Sequence, residues 1–193
     1  MKFALLFAFA WATFPGNSFA EEPKDVPHPI SMRAEYVGED KRGIDPVFYI
    51  RENQIHQYEV KFDGGKLLDH EGKIINSYQW NLPSLYVITE DQKFYLSLYQ
   101  KHNQFHHSSI SGGKKVLSAG QILVKDGKVI AIDRQSGHYF PTDEHLQFAK
   151  RYLEQHGIDV SKAKTGYNTA EENVHLLKDD PCLGATLGNL FIN

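Results

Sequence analysis

The sequence predicts an α+β fold: a mostly antiparallel β-sheet built from a meander and hairpins, followed by two C-terminal helices. Three observations carry that prediction. Asp126-Gly127 separates the apolar runs QILVK and KVIAID and asks for the tight primed turn of a hairpin. Short runs rich in tyrosine and branched residues recur between turn signals from residue 47 onward. Past residue 141 the pattern changes to a helical one, with apolar residues spaced to share one face.

The first twenty residues read as a secretory signal peptide: Lys2, an apolar run over residues 3–14, then Ser18 and Ala20 at the −3 and −1 positions of a cut before Glu21. The run is too short for a membrane span, so the predicted mature form is soluble and secreted or periplasmic. Residues 21–46 hold four prolines and mixed charge, and read as an extended arm. Residues 47–193 are predicted to form a single domain, large enough to bury its own core.

Within that domain, residues 47–50 and 55–62 are expected as strands. Asp63-Gly64-Gly65 forms a turn, and residues 66–69 and 73–76 continue the meander. Strands at 85–89 and 94–99 follow. The hairpin around Asp126-Gly127 is apolar on both faces, with Leu123 and Ile130 on one and Ile122, Val124, Val129 and Ala131 on the other. Such a strand pair must be covered on both sides. Thr142 caps a helix that carries Asp143 and Glu144 in its first turn, buries Leu146, Ala149, Tyr152 and Leu153, and stops at Gly157. Thr169-Ala170-Glu171-Glu172 is a capping box that opens a second, shorter helix, closed by Pro181.

Composition narrows the function. Without the leader the chain carries 20 basic and 24 acidic residues, a net charge of −4, with no basic run. That balance disfavours a nucleic-acid partner. The lone Cys182 forms no intrachain disulfide and has no activating group beside it.

Two polar clusters interrupt otherwise apolar segments: QFHHSSIS at 104–111 and SGHY at 136–139. Read as strands, the first puts His106 and Ser108 on one face and His107 and Ser109 on the other. The second puts Ser136 beside His138, with Tyr139 opposite. If the two neighbour each other, one imidazole of the first meets His138 among serine hydroxyls. A metal site is disfavoured. His102 and His106 lie roughly 13 Å apart on a strand, and neither HExxH nor a cysteine pair is present. Ser108 or Ser109 with His138 could form a nucleophile–base pair, but GxSxG is missing and no acid is marked to orient the base. His106-x-Ser108 has the form of a two-histidine phosphoesterase motif, without its second copy. A ligand-binding pocket without chemistry fits the same residue types, as does a buried network whose members satisfy one another. The histidines at 28, 56, 70, 145, 156 and 175 are expected to be solvated.

The segment from Phe105-His106-His107-Ser108-Ser109 through Gly112 or Gly113, Ala119-Gly120 and Gly127 to Ser136-Gly137-His138-Tyr139 and Pro141-Thr142 resembles the plant IQ-motif-containing (IQM) calmodulin-binding proteins. It also resembles related bacterial and fungal secreted or toxin-like proteins. The likeness covers about residues 85–158 and implies a shared domain, with no settled reaction attached. No IQxxxRGxxxR occurs here, so calmodulin binding is not implied. Toxin-like relatives suggest an effector, and NAD-consuming ADP-ribosyl transfer is one such chemistry, though no glutamate is marked for it.

Together these give an expected site. His106, His107 and His138 are the acid–base candidates, and Ser108, Ser109, Ser136 and Tyr139 the ligand-positioning ones. The site would act on a small polar or nucleotide-like ligand, with no cofactor specified. The rival expectation is a binding or interaction module, for a small ligand or a protein partner, in which the same residues form a structural network.

Overall fold

The computed structural model describes residues 26–36, 47–77, 83–98 and 105–165. The leader, the helix expected from Thr169 and Cys182 lie outside the described residues. The architecture is α+β. Strands β1 (Lys61–Asp63) and β2 (Lys66–Leu68) form a small hairpin. Strands β3 (Ser84–Thr89), β4 (Phe94–Ser97), β5 (Val116–Lys125) and β6 (Lys128–Ile132) form an antiparallel sheet in the order β4-β3-β5-β6. Helix α1 (His107–Ser111) links β4 to β5, and α2 (Asp143–Gln155) follows β6.

The sheet is apolar on both faces because both are covered. On β3, Tyr86 and Ile88 point into one cluster with Phe94, Ile122, Val124 and the α2 residues Ala149, Tyr152 and Leu153. Leu85 and Val87 point into the other, with Tyr95, Phe105, Ile110, Ala119 and Tyr139. The helix stripe Leu146, Ala149, Tyr152 and Leu153 is buried as its spacing predicts. Two bulges adjust the pattern. Ile88 pairs with Ser118 while Thr89 pairs with Val116, so Leu117 is extra and turns into the α2-side cluster. Leu123 pairs with Ala131 while Val124 pairs with Val129, so Ile130 is extra. Strict alternation therefore misplaced Ala131, which stands opposite Leu123.

Other local differences have local causes. Residues 47–50 form no strand, and Ile55–Tyr58 is a 3-10 turn leading into β1. From His107 onward the HHSS segment is helical, with His106 as its extended N-cap. The Ser109 hydroxyl stands three residues after His106 and accepts its backbone N–H at 2.9 Å, as in a capping box. Gly112, at φ 61, closes the helix in the left-handed conformation glycine favours. With HHSS on a helix, the alternating faces assigned to it do not apply. SGHY is likewise irregular backbone between β6 and α2.

The sheet edges and the arm are tied in. Lys164 bridges to Ala131 on β6, and Val60 donates to Phe94 O on β4. In the arm, Ile30 exchanges backbone hydrogen bonds with Val116, at 2.7 and 3.1 Å, and Met32 is buried in the β3–α1 cluster.

Gly120 on β5 permits the closest approach in the sheet. A Cβ there would sit 2.0 Å from the carbonyl oxygen of Asp133 and 2.9 Å from the Tyr86 ring. Backbone cannot yield as a side-chain tip can. Gly120→Ala is expected to cost about 3 kcal/mol or more. Urea denaturation measures this, and a loss within the error of the method would show that the two segments can separate cheaply.

Candidate functional site

The two polar clusters do meet. The turn of α1 carries Ser108 beneath the loop after β6, and its Oγ lies 2.6 Å from His138 Nδ1. Ser108 is 0% exposed and His138 is 6% exposed. The rings of His106 and His138 are 4.3 Å apart and tilted by 39°. On another side Tyr36 stacks on His138 at 4.3 Å and 16°, and Arg33 N–H donates to the His138 carbonyl at 3.0 Å. The arm thus forms part of the enclosure.

The remaining candidates are occupied by structural bonds. His107 Nε2 is 2.8 Å from Gly120 O, which makes it the protonated, donating nitrogen. The Ser109 hydroxyl caps α1, and its carbonyl accepts from Ile50 N–H at 2.9 Å. The Tyr139 hydroxyl donates to Lys114 O at 2.6 Å, which leaves its oxygen to accept from Ser111 Oγ at 2.6 Å. Ser136 Oγ accepts from Tyr139 N–H at 3.3 Å and steadies the SGHY bend. His107 and Tyr139 thus fasten the two clusters to β5 and to the turn after α1.

Electrostatics follow burial. Desolvation lowers His107 to about 4, with His106 and His138 adding repulsion against the hydrogen bond to Gly120. Desolvation also lowers His138 to about 4, helped by the charges of His106 and Arg33. Burial pushes the Tyr139 phenol up to about 12. At neutral pH His107, His138 and Tyr139 are therefore uncharged.

Several participants gave no sequence signal. Arg33 and Tyr36 lie about a hundred positions from His138, and nothing in EYVGED or its surroundings marks them. Ser111 lies at the end of QFHHSSIS and carries no signal of its own there. His145, expected to be solvated, is buried: its Nδ1 accepts the Thr142 backbone N–H at 3.1 Å, and its Nε2 reaches His28 O at 3.1 Å. Its position three residues after the helix cap was the available clue. His102 and His175 lie outside the described residues. Among the described residues, no group of three or more His, Cys, Asp or Glu side chains could hold a metal ion.

Beside the network, the loop after β6 and the first turns of α2 enclose an open cleft of about 600 Å3, which reaches Ser136, Phe140 and Leu146.

Comparison with known proteins agrees with the motif. Residues 54–146 match the IQ motif-containing protein middle domain, starting some thirty residues before the stretch, residues 85–158, that the motif residues mark. The Arabidopsis thaliana IQ domain-containing protein IQM5 is 28% identical over 146 residues, covering 76% of this chain and 28% of that protein. IQM1 from the same plant is 28% identical over 116 residues, covering 60% of this chain and 24% of that protein. The chain thus spans about a quarter of the length of these curated relatives. No solved structure matches it. The helix turn carrying HHSS, the glycine it leans on and the SGHY loop that closes over it all fall in the stretch, residues 54–146, that matches the IQM middle domain.

Proposed function

We propose that this domain is a non-catalytic binding module. The HHSS and SGHY residues are its internal frame, and the cleft beside the SGHY loop is where a small polar ligand sits. The observation that carries this reading is the Ser108 hydroxyl: fully buried and held by His138, it offers no face to a substrate. His107 points away onto Gly120 O, and Tyr139 is fully spent on Ser111 and Lys114. An imidazole lowered to about 4, as His138 is, makes a weak base at neutral pH. Export as a secreted or periplasmic protein is proposed from residues 1–20 alone. Among the described residues, no helix is long and apolar enough to cross a membrane.

A second reading keeps the enzyme or effector, with His106 and His138 as acid and base. The 2.6 Å Ser108–His138 contact beside the His106 ring favours it, since a nucleophile and its base stand at that distance. The two readings differ under substitution. As a frame, Ser108→Ala leaves a buried imidazole nitrogen without a partner and costs about 1–3 kcal/mol. Melting curves of the wild type and of Ser108→Ala, with NAD, ATP, glucose, zinc and calcium, separate them. A lowered baseline with the ligand-induced rise retained supports the module. An unchanged baseline with loss of a turnover seen in the wild type supports the enzyme and sinks the module.

Acid stability gives a further check. His107 binds its proton in the unfolded chain near 6.5 and in the folded one near 4. The unfolded state therefore holds more protons between those values. The contribution is fully present above 6.5 and is lost as the pH falls towards 4. Asp133, whose pKa burial raises, acts in the opposite sense, so the comparison needs a variant. His107→Gln keeps a donor for Gly120 O and does not titrate. Its stability is expected to fall less steeply from pH 7 to 4.5 in urea denaturation. Parallel profiles would mean that His107 titrates alike in both states.

A further inference from the structure

The cleft beside the network has a wall residue with an unused atom. Asp133 is 3% exposed, and its Oδ1 accepts the N–H of Gln121 at 2.9 Å and of Gln135 at 2.8 Å. Its Oδ2 is buried and has no hydrogen-bond partner among the described residues. A buried carboxyl oxygen without a donor is costly, and it calls for a group brought from outside.

The rest of the wall limits what that group belongs to. Its formal charges cancel, Asp133 and Asp143 against Arg134 and Lys150. Arg134 is already committed, with Nε 2.7 Å from Asp143 Oδ1 and Nη1 3.1 Å from Pro141 O. A strongly charged ligand of either sign meets a like, repelling charge in the same wall. Gln135 and Gln147 supply amides that donate and accept alike. Phe140 also lines the cleft. It is 66% exposed, and the Arg33 guanidinium lies 4.7 Å from its ring centroid, over one face. The open remainder of this exposed aromatic ring is an apolar platform beside the polar groups of the cleft.

A neutral ligand with many hydroxyls and one apolar face answers every part of this description. We propose that the cleft binds a saccharide, with one hydroxyl on Asp133 Oδ2 and the C–H face of the ring on Phe140. This rests on the binding-module reading and names its ligand class. That hydroxyl donates to the Asp133 carboxylate, an arrangement an amide nitrogen in its place cannot accept.

Amide shifts of the 15N-labelled protein, titrated with glucose, galactose, mannose and N-acetylglucosamine, test it, with AMP and arginine amide in parallel samples. At least one sugar is expected to move the amides of Gln135, Ser136, Phe140 and Gln147 in a saturable way. Affinity should fall about tenfold in Asp133→Asn and in Phe140→Ala. Asp133→Asn keeps an oxygen for the two backbone donors. If it still folds poorly, Phe140→Ala alters an exposed ring and decides alone. If no sugar moves these amides but AMP or arginine amide does, the saccharide inference is overturned and the binding module stands. If none of the probes moves them, both fall. Sugar-induced shifts that Phe140→Ala leaves unchanged would also overturn the inference.

Discussion

The structure around the site depends on one place where a side chain is missing. At Gly120 the β5 backbone lets the carbonyl of Asp133 approach so closely that a methyl group has no room. That approach brings the Asp133 oxygen onto the Tyr86 hydroxyl at 2.9 Å, and it allows the Asp133 carboxylate to receive Gln121 N–H. From the same residue, the Gly120 carbonyl receives His107. One glycine thus sets the end of β6, the seat of α1 and the start of the loop that lines the cleft. Because the constraint is steric, no adjustment of solvent or charge can substitute for it.

The polar core is consistent with this reading. Buried hydroxyls and imidazoles stabilise a fold only when each finds a partner, and here the bonds run in short closed sets. Tyr139 joins Ser111 to Lys114 O, Ser108 joins α1 to His138, and Ser109 caps the start of the helix that carries Ser108 and Ser111. Such a frame contributes precision more than net stability, since each bond replaces one that water would have made. Its value lies in holding an irregular loop, residues 133–141, without regular secondary structure.

Much of the fold was legible because it rests on local rules. The Asp126-Gly127 turn, the β3–β4 pair and the buried stripe of α2 follow from turn chemistry and periodicity, and the structure has them. The HHSS turn was misread because β-like neighbours suggested a strand, while its helix signals, Ser109 and Gly112, were short-range and spare. The meeting of the two polar clusters was readable as a conditional statement, but which atoms touch was not. That outcome depends on the helical turn of α1 and on Gly120, neither of which periodicity encodes. Tyr36 and Arg33 belong to contacts with no local signature, and Ile130 and Leu117 are bulges that break the alternation a sequence reader must assume.

The arm carries a temporal implication. Its residues leave the ribosome early, yet their partners are encoded far behind them: His28 O waits for His145, 117 positions later, and Tyr36 for His138. Ile30 likewise waits for Val116. Closing so long a loop is slow compared with forming the hairpin around Asp126-Gly127, so this early-synthesised arm is among the last segments to settle. The order of translation and the order of docking therefore run in opposite directions in this chain.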